Sequence, residues 1–104
     1  MTTTVLTLDT LLAAKAQNRP LPTGTMANGD YRNADLSGLR FDKTDARGAR
    51  FDGAKLSQTT WHDCQLDNAR FDQCKLEKSG FHACRGTSVS FKSALLKFTK
   101  MKDC

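Results

Sequence analysis

No part of this 104-residue chain is apolar for long. The ~18 to 20 uninterrupted apolar residues of a membrane-spanning helix are nowhere approached, so a membrane is not expected as a partner. The first residues, Met1-Thr2-Thr3-Thr4-Val5, carry neither the basic region nor the apolar stretch of a secretory signal. A cytoplasmic protein is therefore expected, exported only by a machine that needs no such signal. Hydrophobic residues make up 38% of the chain, which is low for a globule built round one thick core. Histidine occurs only twice, and no serine, cysteine or carboxylate is placed in the sequence with either one as a nucleophile and base. No active site and no cofactor are expected.

What the chain has instead is a beat of five. From Leu21 on, every fifth residue reads Leu21, Met26, Tyr31, Leu36, Phe41, Ala46, Phe51, Leu56, Trp61, Leu66, Phe71, Leu76, Phe81, Gly86, Phe91, Leu96 and Met101. Two residues before each of these, from Ala34 on, stands a mostly small one, such as Ala49, Thr59, Cys64, Cys74 or Ser79. The remaining positions are nearly all polar or Gly. A period of five fits neither a helix at 3.6 residues per turn nor a free strand at 2, so it marks a stacked repeat. The fifth residues are expected inside, and their immediate neighbours, such as Arg70 and Asp72 about Phe71, outside. A longer period of twenty aligns Ala49-Arg50-Phe51-Asp52 with Ala69-Arg70-Phe71-Asp72 and Thr60-Trp61-His62 with Gly80-Phe81-His82. Stacking by twenties gives four faces: Tyr31, Phe51, Phe71, Phe91; Leu36, Leu56, Leu76, Leu96; Phe41, Trp61, Phe81, Met101; and Ala46, Leu66, Gly86. Two aromatic ladders thus stand against two slimmer ones, filling a narrow square core. The low apolar content follows, because each side of a coil buries only two positions and neighbouring coils share one core.

The register resembles the pentapeptide-repeat family, whose motif runs small, Asp/Asn, Leu/Phe, polar, polar/Gly. The matching fives include Ala34-Asp35-Leu36-Ser37-Gly38, Ala49-Arg50-Phe51-Asp52-Gly53, Ala54-Lys55-Leu56-Ser57-Gln58 and Ala69-Arg70-Phe71-Asp72-Gln73. The resemblance implies an all-β solenoid, a right-handed quadrilateral parallel β-helix of about four coils, and a protein without catalytic activity. A second resemblance, Leu11-Leu12-Ala13-Ala14-Lys15-Ala16 joined to Ala34-Asp35-Leu36-Ser37-Gly38-Leu39, is to pentapeptide-repeat regions of bacterial proteins associated with type VI secretion. Those residues are common ones, so they bear on context alone.

Residues 1–20 differ in kind from the solenoid at 21–104. Thr7 is placed as an N-cap, Asp9 lies in the first turn, and Asn18 with Pro20 stops the helix. Leu8, Leu11 and Leu12 form a short apolar stripe that Lys15 ends. Such a helix is too short to stand alone and is expected to lie over the open first coil. Cys64, Cys84 and Cys104 are spaced by twenty, with Cys74 in the same small slot on another face. They read as reduced core thiols, because a straight column does not converge as zinc ligands do and parallel Cβ vectors would strain a disulfide. The column Asp42, His62, His82, Lys102 puts two imidazoles in neighbouring coils. Two ligands on an open surface make an adventitious metal site, and no physiological metal is expected.

Charge is distributed unevenly. The chain carries a net +5, and the last segment holds Arg85, Lys92, Lys97, Lys100 and Lys102 against Asp103 alone. Elsewhere the signs alternate, with Asp30 stacked over Arg50 and Arg32 over Asp52 as weak surface pairs. Family resemblance raises the gyrase-protecting members, which resemble duplex DNA in width and negative charge; a short, mixed and partly basic rod argues against that mimicry. Few lysines and no stacking platform argue against nucleic-acid binding. The last coil instead has Leu95 and Phe98 at outward positions, amid Lys92, Lys97, Lys100 and Lys102, with Met101 closing the column. An apolar centre with a basic rim is how interfaces are often built. The expectation is a protein-interaction or scaffold module of bacterial type that binds through its rod surface and last coil. A second copy pairing coil to coil is the simplest occupant, and an acidic partner the alternative. A topoisomerase-modulating protein is the second reading, and nucleic-acid binding through the basic end the third.

Overall fold

The computed structural model describes residues 4–19, 21 and 23–102; Pro20, Asp103 and Cys104 lie outside the described residues. A helix, α1 (Leu8–Ala16), precedes four short strands, β1 (Arg40–Asp42), β2 (Thr60–His62), β3 (Gly80–His82) and β4 (Lys100–Lys102). The strands pair in parallel and in chain order. Phe41 lies beside Trp61, Trp61 beside Phe81, and Phe81 beside Met101, twenty residues apart each time. The other sides stack by single bridges at the same spacing: Asp30, Arg50, Arg70, Ser90; Asp35, Lys55, Lys75, Leu95; and Thr25, Asp45, Gln65, Arg85. The result is the right-handed square β-helix that the family resemblance implies, with the four sides expected from the period of twenty.

Each corner has a physical cause. At most of them the inward residue's carbonyl accepts from the amide three residues on, as in Ala54 N–H to Phe51 O (3.0 Å) and Thr59 N–H to Leu56 O (3.3 Å). The third residue of the turn takes a positive φ, as Gly53 (70°), Gln58 (61°), Lys78 (60°) and Phe98 (60°) do. That is the signature of a type II turn, in which Gly or Asn is the unstrained choice. Between coils, Arg50 N–H donates back to Gly29 O (2.9 Å) while Phe51 N–H donates forward to Arg70 O (2.7 Å).

Every fifth residue from Met26 to Phe81 is buried, with Phe51, Trp61 and Phe71 fully so. Rings stack along each aromatic ladder: Phe51–Phe71 at 4.9 Å and Phe41–Trp61 at 4.0 Å. The two aromatic ladders also face each other across the square, edge to face, with Trp61 5.5 Å from Phe51 and 5.7 Å from Phe71. They do not each meet a slim ladder, because first and third sides are opposite in a four-sided coil. The expected burial fails at the rim: Phe91 is half-buried, and Leu96 (41%) and Met101 (49%) are exposed. These side chains are covered on one side only among the described residues. Outward neighbours are not uniformly exposed either. The Asp72 side chain retains only 14% exposure.

Parallel pairing begins ahead of the helix. Val5 bridges Thr25, and Leu6 N–H donates to Thr25 O (2.8 Å), which puts Leu6 one coil before Met26. Thr7 caps α1 by accepting from Thr10 N–H (3.2 Å), and Asn18 leaves the helix at φ 52°. The helix buries Leu11 and Ala14 and leaves Leu12 exposed, so its contact line is Leu8-Leu11-Ala14-Lys15 and not the predicted Leu8-Leu11-Leu12. Lys15 does not end the stripe. It reaches over the coil to Asp35 Oδ1 at 2.7 Å. Tyr31 Oη donates to Leu6 O and fixes the same end from within.

Candidate functional site

The last coil departs from the pattern below it. Leu95 (51% exposed) continues the outward column of Lys55 and Lys75, and Phe98 (69%) stands at a corner with φ 60°. A bulky aromatic side chain in that left-handed conformation is strained; the corners stacked below it hold Gly38, Gln58 and Lys78. The Lys97 ammonium sits 5.5 Å from the Phe98 ring centroid, within cation–π reach. Leu95, Lys97 and Phe98 thus share one side. Lys92 lies on the preceding side, and Lys100, Met101 and Lys102 form β4 on the following one. The sequence-predicted set therefore wraps the rim of the coil instead of forming one flat patch. Beside it, Leu66, Phe81, Val89, Phe91 and Met101 line a small opening of about 130 Å³. Gly86 leaves that space, and Val89 leans into it: a Cβ on Gly86 would meet Val89 Cγ2 at 2.5 Å.

Surface charges pair differently from expectation. Asp30 and Arg50 do stack in register, but the tighter ion pairs close along a side, and Arg70 reaches Asp52 of the coil below only at 3.9 Å. Arg32–Asp30 (2.8 Å), Arg47–Asp45 (2.8 Å), Arg50–Asp52 (3.1 Å) and Arg70–Asp72 (3.1 Å) each join residues two apart. Residues i and i+2 point out from the same face, so an arginine reaches its neighbour without bending. Hydrogen bonds from the Arg32 side chain and backbone hold the Asp30 carboxyl down at about 2. A column of lysines, Lys55 and Lys75 in register, leads up to Leu95. Counting charge by chain segment does not reveal it, because the residues are twenty apart.

Cys64, Cys74 and Cys84 are free, buried thiols. Each donates to a backbone carbonyl twenty-three residues earlier: Phe41 O (3.3 Å), Phe51 O and Trp61 O (3.4 Å) respectively. Burial pushes Cys74 up to about 12, so it stays protonated and inert. The small slot is therefore also a donor slot, which Ser79 and Thr99 fill with hydroxyls to Leu56 O (2.7 Å) and Leu76 O (2.6 Å). His62 and His82 do stand in register. His62 Nδ1 lies 3.3 Å from Asp42 Oδ1 and 3.3 Å from Asp63 Oδ2. His82 turns instead over Gly80, its Nε2 lying 3.0 Å from where a Gly80 Cβ would stand. Carboxylates thus accompany one histidine: Asp42, which the column of twenties places beside it, and Asp63, which the sequence reading did not bring there. The corner at Asp63 (φ 54°) brings the second one round.

No curated protein matches the sequence. Among solved structures, QnrB1, described as a plasmid-mediated fluoroquinolone resistance protein, is similar at 24% identity and a TM-score of 0.69. The match covers 73% of this chain and 40% of that one. Rfr23, a pentapeptide repeat protein from the cyanobacterium Cyanothece 51142, aligns at 18% identity and a TM-score of 0.71, covering 74% of this chain and 52% of that one. HetL from Nostoc sp. strain PCC 7120, described as involved in heterocyst differentiation regulation, aligns at 16% identity and 0.53, over 79% and 48%. This chain spans about half or less of each, and at such identities the likeness is one of fold; none of the three bears on secretion. The model of the pentapeptide repeat region matches residues 25–104, and with the square coil this shows that the chain belongs to the pentapeptide-repeat family.

Proposed function

We propose that this chain is a non-enzymatic protein-interaction module, an adaptor or scaffold of bacterial type acting in the cytoplasm. It engages its partner through the rod surface and the last coil. The observation that carries this reading is the exposure of Leu95, Leu96, Phe98 and Met101 on one coil, when every fifth residue from Met26 to Phe81 is buried. Exposed apolar groups rimmed by Lys92, Lys97, Lys100 and Lys102 suit a protein surface. A second copy of the chain, coil against coil, is the simplest occupant. Affinity capture from the source cell with wild-type and Leu95→Asp/Phe98→Asp chains tests it. A partner lost with the double substitution supports the reading, and every partner retained would sink it.

A second reading is topoisomerase modulation, which rests on the family resemblance to gyrase-protecting members. Against it stands the net +5 charge, since mimicry of DNA needs a negative surface. A gyrase supercoiling assay with and without the protein decides between the two. Nucleic-acid binding is disfavoured because Phe91 is packed in the aromatic ladder at 5.1 Å from Phe71, leaving Phe98 without a stacked ring among the described residues. Salt-dependent DNA binding would overturn that.

A further inference from the structure

We propose that Asp42, His62 and Asp63 form a binding site for a divalent transition ion of the zinc or cobalt type. The site is separate from the last coil and independent of its reading. Its three donor atoms lie within 4.8 Å of one another, and both carboxylates converge on one imidazole nitrogen at 3.3 Å. A tetrahedral ion bonded to nitrogen and oxygen at about 2.0 to 2.2 Å requires donor separations of about 3.3 to 3.6 Å. Both measured edges meet that requirement.

The backbone holds the three donors before any ion arrives. Asp42 and His62 are register partners across the β1–β2 ladder, and Asp63 follows at a left-handed corner that turns its carboxyl back toward the ring. The charge pattern leaves these two carboxylates open to a cation, as it does Asp9 and Asp67, which have no ion pair among the described residues. Asp30, Asp35, Asp45, Asp52 and Asp72 each hold an arginine or lysine. Among the described residues, Asp42 and Asp63 pair only with the imidazole. A dication bonded to all three atoms would neutralise the two neighbouring carboxylates and take the imidazole nitrogen as its third ligand. Imidazole with carboxylate favours borderline ions over calcium or magnesium, and three protein ligands leave a fourth position for water. The side chains are 52%, 66% and 43% exposed in the order His62, Asp42, Asp63, so an ion reaches the site from solvent without a change of fold.

Titrating the folded chain with Zn²⁺ by calorimetry and with Co²⁺ by visible absorption tests this. One ion per chain is expected, with a cobalt spectrum free of thiolate charge transfer. His62→Gln and Asp63→Asn should each weaken binding by about tenfold or more, at least the cost of losing an outer hydrogen-bond partner of a metal ligand. Asn suits the left-handed corner, so Asp63→Asn keeps the fold. His82→Gln should leave binding unchanged. Retained affinity in His62→Gln, loss in His82→Gln, a thiolate band, or no saturable binding below millimolar ion would each overturn the proposal.

Discussion

Trp61 donates its indole N–H to the Thr59 hydroxyl at 3.0 Å, deep inside the coil. Thr59 passes its own proton to Leu56 O (2.7 Å) and lies 3.2 Å from the Ser79 hydroxyl one coil on. The widest ring in the core therefore sits there because a small polar residue two places earlier satisfies it. Thr59→Val keeps the shape and strands the indole, so it should destabilise by about 1 to 3 kcal/mol in urea melts. Trp61→Phe combined with it should cost less than the two single changes added together, which a double-mutant cycle reads.

Inward and outward positions separate by magnitude. Phe71 is fully buried between Phe51 and Phe91, and Phe71→Ala should cost about 3 to 5 kcal/mol. Arg70→Ala, at an exposed ion pair, should cost under about 1 kcal/mol. Asp72 is a third case: its carboxylate accepts from the Ser90 hydroxyl and from Lys92 N–H (3.0 Å). Asp72→Ala should fall between, at about 1 to 2 kcal/mol. Equal losses at all three positions would refute the register.

Corners respond to backbone shape more than to contacts. Lys78 is exposed at φ 60°, so Lys78→Val should destabilise by about 1 to 3 kcal/mol although it removes no packing. Lys78→Gly should be neutral or stabilising. Thermal melts of the two variants check this.

How much of this is legible in the sequence differs from residue to residue. Phe51, Phe71 and Trp61 declare themselves because burial recurs at one fixed period, and no other geometry accommodates a large residue at every fifth place. Leu12 does not, since which helical line faces the coil depends on how α1 docks and on Lys15 finding Asp35. Asp63 does not either: only a left-handed corner brings it to His62, and corners in this chain take that shape with Lys, Gln, Ser and Phe as well as Gly and Asn. Ion-pair direction is hidden for a related reason, because neighbours along a side and neighbours between coils are similarly close.

Acid should loosen the fold over a definite window. Asp30 is held at about 2 by Arg32, Asp35 is lowered by Lys15 and then Ser37, Asp45 by Arg47, and Asp72 by Ser90. Unfolded aspartate titrates near 3.9, so the unfolded chain takes up protons first. The stabilisation is fully present above about pH 5 and is lost as pH falls from about 4 through 2. Urea midpoints should be level above that window and decline within it, and Asp35→Asn should flatten the decline. A midpoint that rises on acidification would contradict these pairings.

The role of the last coil as a contact surface is tested most directly by light scattering on the wild-type and Leu95→Asp/Phe98→Asp chains at micromolar concentration. Both substituted residues are exposed, so the variant should still fold, which circular dichroism checks, while its melting temperature follows the loss of the dimer. The account predicts a dimer for the wild type and a monomer for the variant. A wild-type monomer throughout that range, or a dimer that survives both aspartates, would contradict it.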